Sequence, residues 1–398
     1  MSSSLRIIIT GLIAQYPLGG VAWDYLQFAV GLARMGHDVY YIEDTGQWPY
    51  DPRTGGTGVS AEYNATYLAE VMGRFGLADR WAYRFEKGAQ WFGMSGEKRA
   101  QIVRTSDLLI NVSGSLARPG DYRQVARLAY IDSDPVFTQI KLARDQLHFK
   151  ALIDSHDVHF SFGETIGTQL PDTGHTWLPT RQPILLDEWE TSEAPSRPLT
   201  TIMNWSSYGV VEYKGVTYGQ KDVEFMKFMD LPERIFPVRV EIAMNAAGKN
   251  TRAPLDLLQR KGWSFVSPDK VAGSLEAYRR FIQTSTAEWS VAKNGYVQGN
   301  AGWFSCRSAC YLAAGRPVIV EDTGFRNVLP NGEGLLAFST LDEAVDAVRA
   351  VESDLVRHSS AARQIARGYF AAEDVLASLI ERAFKTPAGP TIADGSHR

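Results

Sequence analysis

Cysteine is nearly absent: 398 residues hold only Cys306 and Cys310. Two thiols four positions apart suit one face of a helix and supply neither a disulfide framework nor a metal site. Both are therefore expected as small buried hydrophobes. No run of about 18 apolar residues occurs that would cross a membrane. Residues 1–10 are three serines and a short apolar run, without the charged start, long apolar stretch and cleavage site of a secretory signal, so a cytoplasmic location is expected. Clustered positive charge is missing too. Lys and Arg number 41 against 45 Asp and Glu, for a net charge of -4, which leaves no general attraction for a nucleic-acid backbone or an anionic bilayer.

What remains is an ordinary globular composition, 44% apolar and 22% charged, in a chain whose length favours two domains. The first half alternates short apolar runs with helical patterns, which marks a parallel sheet wound by helices. Strands are expected at 5–10, 39–43, 107–112, 128–131, 158–162 and 175–178, helices at 21–35 and 62–75, and a loop at 48–59. An acidic, proline-containing stretch at 184–200 reads as a linker. A second series follows, with strands at 200–205, 236–243, 263–266, 288–292, 317–321 and 334–338, and helices at 221–229, 253–260, 274–284 and 308–314. The fold class is thus α/β, two Rossmann-like domains facing a cleft, at 1–185 and 186–370. A C-terminal helix at 371–386 is expected to cross back to the first domain, and 387–398 to form a flexible tail. In open sheets of this kind ligands bind beyond the carboxyl ends of the strands.

Residues 302–325, Gly-Trp-Phe-Ser-Cys-Arg-Ser-Ala-Cys-Tyr-Leu-Ala-Ala-Gly-Arg-Pro-Val-Ile-Val-Glu-Asp-Thr-Gly-Phe, read as loop, helix, turn, strand and loop. Ser305 and Ser308 fall at the helix start, where free N–H groups and the dipole favour a phosphate, and Arg307 adds a charge-assisted contact. This run, with Leu-Ala-Ala-Gly-Arg-Pro-Val at its centre, resembles the donor-binding region of GT-B glycosyltransferases. The N-terminal Leu18-Gly19-Gly20-Val21, the helix after it and Gly36-His37-Asp38-Val39 resemble the Gly-Gly loop and first helix of the same enzymes. Trp177-Leu178-Pro179-Thr180 and residues 361–370 also resemble them, so the likeness spans roughly 5–384.

That resemblance implies a nucleotide-sugar donor, of UDP or dTDP type, held by the C-terminal domain, and a small-molecule or glycan acceptor held by the N-terminal one. Donor contacts are expected from Gly19, Gly20, Asn204, Lys221, Ser305, Arg307, Ser308, Asp322, Thr323 and Gly324. One departure stands out: the paired glutamates of the largest related family are replaced here by Gly302 and Cys310. Glu321, Asp322 and Thr323 are alternatives for the sugar hydroxyls. Lys221 opens a helix, where a cation opposes the dipole, so a nearby anion explains it better than stability does.

Transfer requires a base for the acceptor. Asp24 and Asp132 are the candidates, with Asp134 beside the latter, and each has a plain structural reading as a first-turn or strand-end residue. His156 and His159 enter a buried strand and read as structural. Arg181 and Gln182 are expected at the acceptor or the hinge. Trp48, Tyr50, Trp81, Trp91 and Phe92 are expected either to shape an acceptor pocket or to be core. No acidic cluster sits on the donor side, so metal-independent transfer is expected, with no cofactor besides the donor. A homodimer is among the expected assemblies. An epimerase on the same scaffold, a pyridoxal-dependent phosphorylase without its lysine signature, a sugar-binding protein and a non-catalytic nucleotide-sugar binder remain alternatives.

Overall fold

A computed structural model describes residues 4–85, 90–144, 147–167, 170–248 and 251–387. Apart from Pro387, the expected tail lies outside these residues.

The first half builds an eight-stranded sheet. Its order is Trp177–Pro179, Val158–Ser161, Leu128–Asp132, Leu108–Val112, Arg6–Thr10, Asp38–Glu43, Trp81–Phe85 and Gln90–Gly93. All neighbours pair in parallel except the last two. Ile7, Ile8 and Ile9 are all fully buried, because helices cover both faces of a central parallel strand. The six strands expected are present, and two more follow at the edge. Gln90–Gly93 is exposed or half-buried throughout, so it carries no continuous apolar run to betray it.

The second half builds a six-stranded parallel sheet in the order Ser264–Val266, Val240–Gly248, Arg197–Ser206, Ser285–Ser290, Val318–Glu321 and Leu335–Phe338. All six expected strands are there. The second begins at Val240 rather than 236, since Pro237 has no N–H to give to the ladder. In each sheet the strand order reverses beside the first strand, between Arg6–Thr10 and Leu108–Val112 and between Arg197–Ser206 and Ser285–Ser290. These reversals place the two crevices where ligands enter open α/β sheets.

The acidic stretch between the sheets is not loose. Trp189 is completely buried and its indole N–H donates to Gln27 Oε1 at 3.0 Å. Arg34 and Arg279, from different halves, both pair with Glu188. Arginine tethering of this kind is invisible in composition. After the second sheet come helices Leu341–Ser353, Leu355–Tyr369 and Ala372–Lys385. The last returns to the first half: Leu376 and Ala372 fill the space over Gly31, and Arg382 donates to the carbonyl of Pro179 and lies over the Phe160 ring.

The two halves also meet where helix Phe137–Ala143 faces helix Asn294–Gly299. A Cβ on Gly295 would overlap the ring of Phe137, and one on Gly299 would overlap Cγ2 of Val136. Helix propensity alone makes Gly299→Ala stabilising by about 0.5–1 kcal/mol. Overpacking costs typically 1–3 kcal/mol and should win here. Urea denaturation of Gly299→Ala is therefore expected to show a lower midpoint than the parent; a higher one would mean the contact yields freely.

Candidate functional site

Between the halves lies a cleft of about 950 Å³. The first half contributes Tyr16, Leu18, Gly20, Val21, Tyr50 and Arg53; the second contributes Asn204, Gln220, Lys221, Lys293, Trp303 and Arg307, among others. It opens at the reversal point of the second sheet. Arg307 straddles that point: its Nη1 donates to Ile202 O at 2.8 Å on one strand, while Nε reaches Glu288 Oε1 at 2.5 Å and Nη2 reaches Ser290 Oγ at 2.9 Å on the next.

A guanidinium has five N–H bonds, and these contacts use three, so two remain for a ligand. Glu288 is completely buried. Removing Arg307 strands that carboxylate, which costs about 3–5 kcal/mol where a buried pair is broken. Arg307→Ala is expected to fall sharply in thermal stability, with part of the loss recovered by adding Glu288→Gln. A melting series of the single and double variants checks this.

Lys221, at the start of helix Lys221–Phe225, projects into the same cleft. Its Nζ has one long contact, 3.4 Å to Ser290 Oγ, and no carboxylate bonds it among the described residues. Burial, and then the nearby Arg307 charge, hold its pKa well below the usual lysine value. Two cations thus converge on Ser290 with, among the described residues, a single paired carboxylate, Glu288. Such an arrangement is short of one anion.

Helix Cys306–Ala313 begins beside them, with Ser305 as its N-cap making no side-chain cap bond. Ser305, Ser308, Glu321 and Thr323 line a narrow recess together with Lys221 and Arg307. Asp322 and Gly324 are not brought to the cleft or the recess. Asp322 pairs with Arg326 at 2.7 Å and accepts the N–H of Gly324, which sits in the left-handed region at φ 94° against Asn300. Thr323 is buried, and its hydroxyl donates to the carbonyl of Trp303. Burial, and then the neighbouring buried carboxylate of Glu224, push the Glu321 carboxyl well above the usual range.

Gly20 lines the cleft, whereas Gly19 does not: a Cβ there would overlap the Ser274 carbonyl of the other half. The glycine pair therefore serves close approach of the two halves as well as access. One turn beyond Gly20, Asp24 is half-buried, and burial pushes its carboxyl up to about 6 against the opposing effect of a hydrogen bond with Cys306. Cys306 is half-buried and Cys310 fully so, and Gln27 Nε2 lies 3.7 Å from the first sulfur and 4.0 Å from the second.

Asp132 is placed differently from its expectation. It is fully buried and accepts from Thr138, Gln139, Ser161 and the Asp134 N–H at 2.7–3.1 Å. With four donors on two oxygens it has no open side toward an acceptor, and its role is to hold the strand-end turn. Asp134, two residues on, faces the other half. Its Oδ1 takes Lys293 Nζ at 2.9 Å and the Tyr296 hydroxyl, and its Oδ2 takes the Tyr208 hydroxyl at 2.7 Å. Of this group Lys293, Tyr208 and Tyr296 were not marked by any sequence signal, because their partner is more than 70 residues away.

His156 and His159 are structural: burial takes them down to about 3 and about 4, and both bond backbone carbonyls. Arg181 pairs with Glu164 at 2.6 Å and donates to Val328 O at 3.3 Å, and Gln182 donates to Phe304 O at 2.8 Å, so both serve the contact between halves. Of the five aromatics, only Tyr50 lines the cleft. Trp81 is core, Phe92 is half-buried against the same cluster, and Trp91 is half-buried against the cluster on the sheet's other face around Ile8 and Ile42.

No family model matches the chain, and no curated protein matches it. Solved structures do. An alpha-glucosyltransferase in complex with UDP and a 13-mer DNA is 11% identical, covers 96% of this chain and 100% of its own, and superposes with a TM-score of 0.59. Anabaena HepE in complex with UDP-glucose is 12% identical over 96% and 100%, at 0.58. Sucrose-phosphate synthase from Thermosynechococcus elongatus is 12% identical over 94% and 98%, at 0.52. The fold is GT-B. Near-complete coverage of each chain means that both GT-B halves, and not one Rossmann unit alone, carry the likeness. No helix among the described residues is long and apolar enough to cross a membrane.

Proposed function

We propose that this protein is a glycosyltransferase that moves a hexosyl group from a UDP- or dTDP-type sugar to a small-molecule or glycan acceptor. The observation that carries the reading is the anion deficit at the reversal point of the second sheet. Lys221 and Arg307 converge there beside the start of helix Cys306–Ala313, and among the described residues Glu288 is the one carboxylate paired with either. A diphosphate supplies the missing charge. Its bridging and terminal oxygens would take the two spare guanidinium N–H groups, the Lys221 ammonium and the N–H groups near Ser305 and Ser308. Asn204, Thr323 and Gly20 complete the donor side in this reading, with Glu321 near the sugar.

The same cations stabilise negative charge as it builds on the leaving diphosphate, so charge balance is assigned to side chains and not to a metal ion. Asp24 is assigned as the base. Its carboxyl lies one turn behind Gly20, beside Cys306 of the other half and behind the lined wall of the cleft, with a proton affinity near the working range of a general base. Closure of the cleft brings donor and acceptor together and removes water. The first half, with Tyr16, Tyr50 and Arg53 on the cleft wall, is assigned to the acceptor.

Release of nucleoside diphosphate from a panel of UDP-, dTDP- and GDP-sugars, with and without candidate acceptors, tests the proposal. Acceptor-dependent release supports it. Tight donor binding with no release under any acceptor would favour a non-catalytic nucleotide-sugar binder, a reading supported by Gly302 and Cys310 standing where related enzymes carry glutamates.

A further inference from the structure

Lys293 belongs both to the cleft and to the contact between the halves, and the two roles compete. It lines the same cavity as Lys221 and Arg307. An ammonium has three N–H bonds. All three are taken: Asp134 Oδ1 at 2.9 Å, Tyr208 OH at 2.9 Å and Tyr296 OH at 3.1 Å. Both tyrosines also donate to Asp134, so one carboxylate of the first half is clasped by three side chains of the second. The cation further lies 4.6 Å from the Tyr208 ring centre and 5.0 Å from that of Tyr296.

The carboxylate is held firmly in place. The turn behind it contains Val136 at φ 75°, a left-handed conformation that a β-branched residue adopts only when its surroundings impose it. The imposing contacts are visible: Val136 N donates to Gln139 Oε1 at 2.6 Å, and the Val136 side chain, fully buried, sits on Gly299. Asp132 fixes the other end of the turn through its four donors. Strain at this point serves to present Asp134 to Lys293.

We propose that Lys293 is a donor-binding residue shared between Asp134 and the donor's diphosphate, so that nucleotide binding draws on a cation that otherwise latches the two halves together. This inference rests on the nucleotide-sugar reading of the cleft. Any phosphate oxygen that Lys293 contacts must displace one of its three present acceptors. Coupling of this kind is reciprocal: if the closed latch weakens nucleotide binding by some factor, bound nucleotide weakens the latch by that same factor.

Substitutions on the two sides of the latch should therefore act in opposite directions. Calorimetric titration with UDP, GDP and dTDP is expected to show Lys293→Met binding its preferred nucleotide about tenfold more weakly than the parent, the loss of one charge-assisted contact. Asp134→Asn is expected to bind roughly three- to tenfold more tightly, because neutralising the carboxylate releases the ammonium to the ligand. Tyr208→Phe, a gentler change, should move the same way by a smaller factor. Unliganded melting curves establish that each variant is folded. If both Asp134→Asn and Lys293→Met lose stability while nucleotide affinity stays at the parental value, the cluster is a strut alone and the inference fails while the donor-site reading stands. Absence of nucleotide binding by the folded parent protein overturns both.

Discussion

Replacing Lys221 by Met should make the protein more stable and a worse nucleotide binder at once. The ammonium is half-buried among apolar cleft walls, beside Arg307 and without a bonded carboxylate. The side chain of Met has similar length and none of the desolvation cost. A gain of about 1 kcal/mol, seen as roughly 1 °C in melting temperature, is the expected size for a chain of 398 residues. Against that, the lost contact to a diphosphate is worth about 2–3 kcal/mol, or roughly 30- to 150-fold in affinity.

The proton linkage has a definite sign. The folded-state pKa of Lys221 lies below its unfolded value. As pH rises past the folded pKa, the native state releases this proton while the unfolded chain keeps it, and stability rises until the unfolded value is passed. That alkaline gain should be smaller in Lys221→Met. A bound anion restores the proton, so nucleotide binding should take up protons at alkaline pH. Titration in two buffers of different ionisation enthalpy measures that uptake. A variant that loses stability and keeps its affinity would assign Lys221 a structural role.

Asp24→Asn carries the largest expected effect on turnover. With the carboxyl raised to about 6 by burial, the base is protonated below that pH and ionised above it. Turnover at limiting substrate should climb through about pH 6 and level off. Asn cannot accept a proton, so a loss of about 10²- to 10⁴-fold is expected at pH 8, with the acid limb of the profile gone. The folding effect has the opposite sign. A carboxyl whose folded pKa is raised costs stability as pH climbs from its unfolded value near 4 toward 6, and that cost persists above. Asp24→Asn should thus be at least as stable as the parent at pH 8. A fully active variant with an unchanged pH profile would remove Asp24 from the chemistry.

The sheets were legible because their strands are buried on both faces and read as uninterrupted apolar runs; Ile7, Ile8 and Ile9 are the plainest case. The loop, helix and strand at 302–325 were legible for a local reason also, since they follow one another in sequence. What sequence could not show is which polar group meets which. Asp132 has the look of a strand-end carboxylate facing a cleft, yet Thr138, Gln139 and Ser161 fold onto it and close it off. Asp322 sits one residue past a strand that reaches the site and is turned to Arg326 instead. Arg307 was expected as a phosphate ligand, but its anchor Glu288 lies on the preceding strand and changes what its removal would mean. Lys293 and Asp134, 159 positions apart, are brought together where Phe137 and Val136 dock on Gly295 and Gly299, a meeting that no local pattern announces.

The central claim is that the cleft at the reversal point of the second sheet is a nucleoside-diphosphate site. Titration of the folded wild-type protein with UDP, GDP and dTDP, with the corresponding nucleosides as controls, tests it most directly. The account predicts saturable one-to-one binding of at least one diphosphate and a large loss when the phosphates are removed. Equal affinity for nucleoside and nucleoside diphosphate, or no binding of either, would contradict it.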